Sequence, residues 1–198
     1  MATVTVSVNS ETTFTASYSN VSATVTVQSV TVYYESALTS DDGNWTKSNS
    51  SGITCTYDTN GLTVKGTTTG DRTYTLNKST FSIPDNNFVV ECDLIAYTLG
   101  AYDNSTEFIV YNAKVLMEQS NINVRPTNNN NTKLYNVTIP TLPIHIKFVV
   151  TGSSIYVYFD DTLVATATQN SSYKNIQLKT YNNRSMTVKN IEVYEYTS

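Results

Sequence analysis

Two carboxylates, Glu91 and Asp93, are the residues whose types and spacing come nearest to catalytic chemistry. They flank Cys92 in an alternating apolar run that predicts a strand. The period of two places both side chains on one face of that strand, about 7 Å apart. Retaining glycosidases need two catalytic carboxyl groups about 5–5.5 Å apart. The pair therefore does not by itself supply a hydrolytic site.

The single histidine, His145, gives little support to acid–base catalysis. It shares strand parity with Lys147, opposite to Ile144, Ile146 and Phe148, so we expect it to face away from the core. The sequence has no Gly-x-Ser-x-Gly or Gly-x-x-x-x-Gly-Lys run, which leaves serine-nucleophile and P-loop chemistry without a basis. We therefore interpret His145 as structural.

Metal binding is weakly supported. Asp41-Asp42-Gly43-Asn44 and Asp160-Asp161 offer hard oxygen ligands for calcium, but the same residue types favour tight turns, which we expect at both places. Cys55 and Cys92, with one histidine in the chain, are too few for a structural zinc site. We interpret them as free thiols, with a disulfide between them as the open alternative. The sequence predicts neither a metal nor a cofactor.

Aromatic and amide side chains supply the remaining chemical signal. Sugar sites combine a flat aromatic ring with Asn, Asp or Arg groups that satisfy hydroxyls. The candidate carbohydrate-binding residues are Tyr97, Tyr102, Tyr111, Asn112 and Arg125. The alternative is structural, because tyrosine, present 15 times, is a good strand former that lies half-buried with its hydroxyl in water.

Composition restricts the class of protein and of partner. Apolar residues are 39% and charged residues 14% of the 198 residues, against about 45–50% and about 25% in ordinary globular chains. The net charge is −4 and Lys and Arg form no cluster, which argues against nucleic acid as a partner. No stretch approaches about 18 consecutive apolar residues, so membrane insertion is not expected.

The elements that must position these residues fall into two segments. The first 42 residues lack Gly, Pro, Lys and Arg, and this shift in composition places a boundary within Ser36–Asp42. We therefore divide the chain into an N-terminal β-strand arm, residues 1–35, and a main domain, residues 42–198. Alternation in the arm changes parity after Val27, which predicts a bulge near Gln28-Ser29.

The main domain is predicted to consist of short antiparallel strands. Turn signals recur about every 8–12 residues, which is typical of sandwiches and barrels. Asn60-Gly61 predicts a two-residue type I′ hairpin. Phe108–Gln119 is the only candidate for a helix, but its β-branched and aromatic residues favour a hairpin instead.

The last third of the chain carries the most recognisable pattern. In chain order it comprises strand Ile144–Val150, turn Thr151-Gly152-Ser153, strand Ile155–Phe159, turn Asp160-Asp161 and, after further strands, Val188–Tyr194. This order resembles the C-terminal half of concanavalin A-like lectin/glucanase (laminin G-like) jelly rolls, except that Asp161 stands where the family usually has Gly. The resemblance covers residues 42–198 and implies an all-β fold, a two-sheet antiparallel jelly-roll sandwich. That fold hosts lectins, hydrolases and structural domains alike.

The resemblance also bears on catalysis. Glucanases of this superfamily carry Glu-x-Asp-x-x-Glu on one strand. In this chain Glu91 and Asp93 match the first two acidic positions, but the third is Ala96. We therefore predict that the protein is not an enzyme.

The arm has a resemblance of its own. Thr12–Val27 is similar to the closing hairpin of bacterial immunoglobulin-like domains in its Thr/Val alternation. A whole domain of that kind needs about 100 residues, so this segment would be a remnant or would be completed by another chain. Without Lys or Pro, its strand edges are unprotected. We expect residues 1–35 to pair with other virion or surface subunits in an oligomeric assembly. The alternative is that they extend the jelly roll's own sheets.

The leading functional hypothesis is a non-enzymatic virion surface protein, a phage capsid decoration or tail/fibre-associated protein. Its jelly roll would be displayed outward, with host cell-surface glycans as candidate ligands. Met1 is followed by Ala2-Thr3-Val4-Thr5, with no basic segment and no long apolar run, so we expect no signal peptide. This favours the virion surface over an extracellular or cell-surface location. The second hypothesis is a carbohydrate-binding module of a secreted or cell-surface protein, and the third is a glycan hydrolase.

Overall fold

The computed structural model of the chain consists almost entirely of β-strands. It describes residues 12–18, 21–27, 30–48, 50–98, 106–118, 121–126, 134–138, 141–170 and 172–197. The described strands, in chain order, are β1 Thr12–Tyr18, β2 Val21–Val27, β3 Val32–Ser36, β4 Trp45–Lys47, β5 Ile53–Asp58, β6 Gly61–Gly66, β7 Arg72–Leu76, β8 Phe88–Thr98, β9 Thr106–Val110, β10 Ala113–Met117, β11 Asn121–Pro126, β12 Tyr135–Thr138, β13 Ile144–Val150, β14 Ser154–Phe159, β15 Thr162–Thr168, β16 Ile176–Thr180 and β17 Ser185–Glu195. The helical segments in these ranges are two short 3₁₀ turns, Ser50–Gly52 and Lys78–Phe81. Neither has the length or apolar character needed to cross a membrane.

Two large antiparallel sheets contain most of these strands. One has seven strands in the order β12-β11-β10-β9-β16-β7-β4. The other has eight, in the order β15-β14-β13-β8-β17-β6-β5, with β3 also paired to β17. β1 and β2 pair with each other in a separate two-stranded sheet. This arrangement confirms the predicted two-sheet antiparallel jelly roll.

The core lies between the two large sheets and follows from the alternation of the strands. In β13, Ile144, Ile146 and Phe148 point inward and are at most 3% exposed, whereas His145 faces outward as predicted. Phe148 meets Phe108 of β9 edge-on, with ring centroids 5.2 Å apart. Because β9 and β13 belong to different sheets, this contact is one point at which the two inner faces pack together.

Both predicted hairpins form, one of them with a different turn. β9 and β10 pair as a hairpin, which rules out the helix alternative for this segment. β5 and β6 also pair, but Asp58 faces Gly61, so the loop residues are Thr59 and Asn60. A type I′ turn needs positive φ at both loop residues; here only Gly61, at 114°, has it. The predicted turn type is therefore wrong, because Gly61 belongs to the paired strand and not to the loop. Position 61 still requires glycine, since a Cβ atom there would lie 2.2 Å from the Val188 carbonyl oxygen.

The last residues of the predicted arm contact the jelly roll. β3 pairs with β17, and Tyr34 at its centre is buried in the core. The Tyr34 hydroxyl donates to Asp42 Oδ2 at 2.6 Å and accepts a hydrogen bond from Trp45 Nε1 at 3.0 Å. The division into residues 1–35 and 42–198 stays a prediction. The predicted bulge at Gln28-Ser29 lies outside the described residues.

Cys55 and Cys92 are free thiols, which settles the alternative that the sequence left open. Cys92 is fully buried, and Cys55 is partly buried. Burial raises the pKa of Cys55 to about 11. A thiol with a raised pKa is a poor nucleophile near neutral pH, so both cysteines act as small core residues.

Candidate functional site

Two rows of outward side chains cross the seven-stranded sheet, and we refer to them together as the seven-strand face. In sheet order, the first row is Asn136, Asn123, Leu116, Glu107, Lys179 and Thr73. The second row is Arg125, Lys114, Ile109, Gln177, Thr75 and Thr46. The alternate residues of the same strands, such as Phe108 and Val115, lie in the core. Strand register therefore brings together side chains that are far apart in the sequence.

Glu107 is the centre of a buried group of ion pairs on this face. Its carboxylate lies 3.5 Å from Lys114 Nζ and 3.6 Å from Lys179 Nζ. Lys179 also contacts Asp71 at 2.9 Å. The side chains of Lys114 and Glu107 are only 4% and 8% exposed. Water therefore barely reaches the Glu107–Lys114 pair, whereas Asp71 at the edge of the group is exposed.

Burial and charge act on the two lysines in different proportions. Burial lowers the pKa of Lys114, and the attraction of Glu107 offsets this only in part. Burial also lowers the pKa of Lys179, but the carboxylates of Glu107 and Asp71 outweigh it and raise that pKa above its ordinary value. Lys179 is therefore held firmly in its charged form, and Lys114 less firmly.

A second polar group lies beside the first, at the end of β10. Glu118 accepts a hydrogen bond from Asn123 Nδ2 at 2.7 Å and pairs with the guanidinium of Arg125. Asn123 is fully buried, and within the described part of the chain its Oδ1 has no hydrogen-bond partner. An unmatched buried acceptor costs about 1–3 kcal/mol. Asn123 Oδ1 is therefore a buried acceptor without a hydrogen-bond partner among the described residues.

The chemistry of the seven-strand face suits polar binding better than acid catalysis. Carboxylates and amide oxygens accept hydrogen bonds from hydroxyl groups, and ammonium and guanidinium groups donate to them. Glu107 is ion-paired with Lys114 and Lys179, and Glu118 with Arg125, so each carboxylate already serves as the partner of a cation. The twelve side chains of the two rows include no aromatic ring, so a ligand would be held there by hydrogen bonds rather than by stacking.

Of the side chains predicted to bind carbohydrate, the structure places one on this face: Arg125. Tyr97 lies near the end of β8 in the other sheet and packs against the core. Tyr102 is outside the described residues.

Tyr111 and Asn112, two further members of the predicted set, form the turn between β9 and β10 and are 1% and 4% exposed. The Tyr111 hydroxyl contacts Lys78 Nζ and the Pro84 carbonyl. Asn112 donates to the Thr168 carbonyl. The structure brings these two residues together, but not with Tyr97 or Arg125. Carbohydrate binding by the set stays a prediction.

The outward face of the eight-stranded sheet, the eight-strand face, carries the pair that first suggested catalysis. Glu91 and Asp93 lie on it beside His145, with Nδ1 2.9 Å from Asp93 Oδ1 and Nε2 3.6 Å from Glu91 Oε2. Tyr194 donates to Glu91 at 3.0 Å, and Asn190 donates to Asp93 at 2.8 Å. The side chains of the pair and of His145 are 19–34% exposed, so this group is wetter than the one around Glu107.

In the part of the chain that the structure describes, no group of three or more His, Cys, Asp and Glu side chains is arranged to hold a metal ion. The segment Asp41-Asp42-Gly43-Asn44 forms the expected turn. Asp41 Oδ1 accepts the Gly43 N–H and Asp42 Oδ1 accepts the Asn44 N–H, both at 3.0 Å.

Known structures share this architecture at low sequence identity. No protein-family model and no curated protein sequence matches the chain. The carbohydrate-binding module CBM66 from Bacillus subtilis aligns with a TM-score of 0.52 and 19% identity, over 76% of this chain and 94% of that one. The metal-free carbohydrate recognition domain of Emp46p gives 0.58 and 8%, over 84% and 98%. The kappa-carrageenase of Pseudoalteromonas carrageenovora, in complex with an oligotetrasaccharide of kappa-carrageenan, gives 0.56 and 10%, over 84% and 95%. The fold is the concanavalin A-like jelly roll.

Three residues of the jelly roll's buried ion-pair group, Glu107, Lys114 and Lys179, were missed by sequence analysis. Each looks like an ordinary outward residue of an alternating strand, and only the β10-β9-β16 register brings them together. One signal was present. Ile109 and Leu116 are aliphatic at outward positions of the β9–β10 hairpin, which indicates that this outward face is shielded, and both are nearly fully buried.

Proposed function

We propose that this protein is a non-enzymatic carbohydrate-binding module whose glycan binds at the seven-strand face. The observation that carries the proposal is the buried Oδ1 of Asn123, an acceptor without a partner in the described chain, set beside Glu118 and Arg125. A sugar hydroxyl is both donor and acceptor, so one hydroxyl can donate to Asn123 and accept from a neighbouring cation. Ordered charged neighbours strengthen such bonds where water is excluded.

The structural neighbours support the class of ligand. CBM66 and the Emp46p domain are both named for carbohydrate binding, and this chain shares their fold. The kappa-carrageenase shows that the same fold also serves an enzyme. The proposal that this chain lacks activity therefore rests on its own residues: Glu107 and Glu118 contact cations, and Ala96 follows the Glu91–Asp93 pair.

The distribution of buried and half-buried residues on the seven-strand face indicates what size of glycan could bind there. Lys114 on β10 and Asn123 on β11 are buried, while Lys179 and Gln177 on β16 are half-buried. A polar site of which only one side is accessible suits the end of a glycan or a short oligosaccharide. The flat surface of a crystalline polysaccharide would need exposed aromatic rings, which the two rows lack.

A glycan array followed by calorimetry tests the proposal. Asn123→Ala removes the unmatched acceptor and should weaken binding of the best glycan about tenfold, the effect of losing one buried hydrogen bond. Arg125→Met should weaken it to a similar degree. The matched control is Lys147→Met, a half-buried cation on the eight-strand face, which should bind as the wild type does.

Two binding results would contradict the proposal. The first is the absence of glycan binding by the wild type, and the second is binding that Lys147→Met abolishes and Asn123→Ala does not affect.

Activity is tested separately. Mass spectrometry should recover the bound glycan intact after long incubation. Shortened products that disappear in Glu91→Gln would show that the protein is a hydrolase.

A second proposal concerns where the module acts, namely on a virion surface with residues 1–35 as the attachment segment. The observation that favours it is the separate sheet of β1 and β2, which within the described residues joins neither sheet of the jelly roll. Because Tyr34 lies in the core, the test deletes residues 1–29 only. The truncated protein should melt near the wild-type temperature but disappear from virus particles purified from the native source. Absence of the intact protein from such particles, or unfolding of the truncated protein, would contradict this proposal.

A further inference from the structure

β15, Thr162–Thr168, is an edge strand that lacks the usual protections against pairing. It pairs with β14 on one side, and within the described chain no strand pairs with its other side. Its sequence, Thr-Leu-Val-Ala-Thr-Ala-Thr, contains no charge, no Pro and no Gly, and Leu163 is 50% exposed. Natural sheets normally protect an edge by making it short, charged or interrupted, because an exposed ladder accepts another strand.

The other edge strands of the two large sheets do carry such protections. β4 has three residues and includes Lys47, β5 ends at Asp58, and β3 contains Glu35. β12 is only four residues long. Among the described edges of the two large sheets, β15 is therefore the long and uncharged one.

The backbone of β15 presents hydrogen-bonding groups outward. The Gln169 N–H donates to the Ser153 carbonyl at 3.0 Å, toward β14. Because successive N–H groups of a strand alternate in direction, Ala167 and Ala165 also face β14, whereas Thr166 and Thr168 face away. The side chains of these two threonines are exposed and small. An added strand therefore meets backbone donors and acceptors without a bulky side chain in the way.

We propose that two copies of this chain pair through β15, antiparallel about a two-fold axis at Thr166, to form one continuous sheet. In this register Thr166 faces Thr166 of the second copy, and Ala165 faces Ala167. Threonine pairs opposite one another across strands are favourable. The Asp160-Asp161 turns of the two copies lie at opposite ends of the pair, so no like charges meet.

A second copy fits this edge better than a different partner, for two reasons. The strand is neutral in a chain of net charge −4, so self-pairing through it brings two copies of the jelly roll together at an edge where they do not repel each other. A two-fold pair also closes, because each copy covers the other's open edge. The interface is a single strand pair, below the usual size of a stable complex, so the dimer should form at micromolar or higher concentrations. This proposal does not depend on the glycan site.

Sedimentation across a concentration series tests the dimer. The weight-average mass should rise from 21.9 kDa toward twice that value. Thr166→Lys places a charge at the two-fold axis, where it meets its own copy, and should lower the association constant at least about tenfold. The matched control is Thr56→Lys, the same change at an exposed threonine on the β5 edge of the same sheet, which should dimerise normally. Melting curves confirm that both variants are folded.

A disulfide variant tests the register. Hydrogen-bonded residues that face each other across antiparallel strands have Cα atoms about 5.5 Å apart, within the range that a disulfide spans. Thr166→Cys in a Cys55→Ser background should therefore give a cross-linked dimer on oxidation. Thr162→Cys, at the end of the strand, should not.

Three outcomes would overturn the proposal: a wild-type protein that stays monomeric up to about 1 mM, a dimer that Thr166→Lys does not weaken, or a dimer that disappears when residues 1–29 are removed. The last result would assign the contact to the arm. A dimer that is insensitive to that deletion and lost in Thr166→Lys supports pairing through β15.

Discussion

The charged side chains on the two outward faces of the jelly roll differ in how deeply they are buried. On the seven-strand face, Glu107 and Lys114 form an ion pair across strands and are almost closed to water. On the eight-strand face, Glu91, Asp93 and His145 form a comparable cluster that remains partly wet. A charge that is buried with its partner becomes costly when the partner is removed, whereas a wet charge returns to the solvent at little cost. The motif that suggested catalysis from sequence thus lies on the face where water reaches the charged side chains.

Glu107→Leu should cause the largest loss of stability, because it leaves the buried ammonium of Lys114 without this carboxylate. The expected decrease in the free energy of unfolding is about 3–5 kcal/mol, measured by urea denaturation. The double variant Glu107→Leu/Lys114→Met replaces the pair with apolar side chains of similar volume and should recover most of that loss. The matched control, Asp93→Asn on the eight-strand face, should lose less than about 1 kcal/mol. Equal losses in Glu107→Leu and Asp93→Asn would show that the two faces do not differ.

The pH dependence of stability should also differ between groups on the two faces. On the eight-strand face, Glu192 lies directly between Glu91 and Glu35 in the strand register. Burial first, and then these two carboxylates with a smaller addition from Asp93, raise the pKa of Glu192, and His145 opposes the shift. A carboxyl group whose pKa is raised in the folded state stabilises the fold at pH values below its ordinary pKa of 4.5. That contribution is lost as the pH rises through the raised pKa.

Glu192→Gln should therefore be more stable than the wild type near pH 7 and lose this advantage toward pH 4. The gain near pH 7 should be below about 1 kcal/mol, because like charges opposite each other repel modestly and solvent screens them. Urea midpoints of both proteins across this range measure it. Parallel pH profiles for the two proteins would exclude Glu192 as the source of the dependence.

The seven-strand face should respond to pH on the alkaline side instead. The pKa of Lys179 is raised in the folded state, mainly because Glu107 and Asp71 overcome the effect of burial. Its contribution to stability is therefore fully present below the ordinary lysine pKa of 10.5 and is lost as the pH rises through the raised value. Lys179→Met should flatten the alkaline loss of stability, as measured by urea midpoints above about pH 9. An alkaline loss that is the same in Lys179→Met as in the wild type would contradict this assignment.

The contrast also explains what the sequence could and could not predict. Alternation and turn residues are local, and they predicted an antiparallel sandwich or barrel and the β9–β10 hairpin. The jelly roll itself was implied by the resemblance of the last third of the chain to a known superfamily. The turn at Gly61 was predicted with the wrong type because the Asn-Gly pair marks a turn without showing which residues face each other across the hairpin, here Asp58 and Gly61. The contact between Glu107 and Lys179 was missed for a similar reason, since it depends on which strands become neighbours. Period-2 patterning indicates the face on which a side chain lies, but not the strand beside it.

Asp161→Gly should give the smallest change in stability, and that change should be a gain. Asp160 and Asp161 form the turn between β14 and β15 with φ of 46° and 63°, a left-handed conformation that glycine adopts without cost. Asp161 also contacts Lys147 at 2.7 Å, but its carboxylate is 83% exposed, and such pairs contribute little. Asp161→Gly should therefore slightly raise the melting temperature because it relaxes the turn, and more so at high salt, where the lost ion pair is already screened. Asp160→Gly is the matched control: it relaxes the same turn but removes the carboxylate that accepts the His145 N–H at 3.0 Å, so it should melt below Asp161→Gly. A melting temperature for Asp161→Gly that falls below the wild type at low salt and recovers at high salt would show that an exposed pair on the eight-strand face does support the fold.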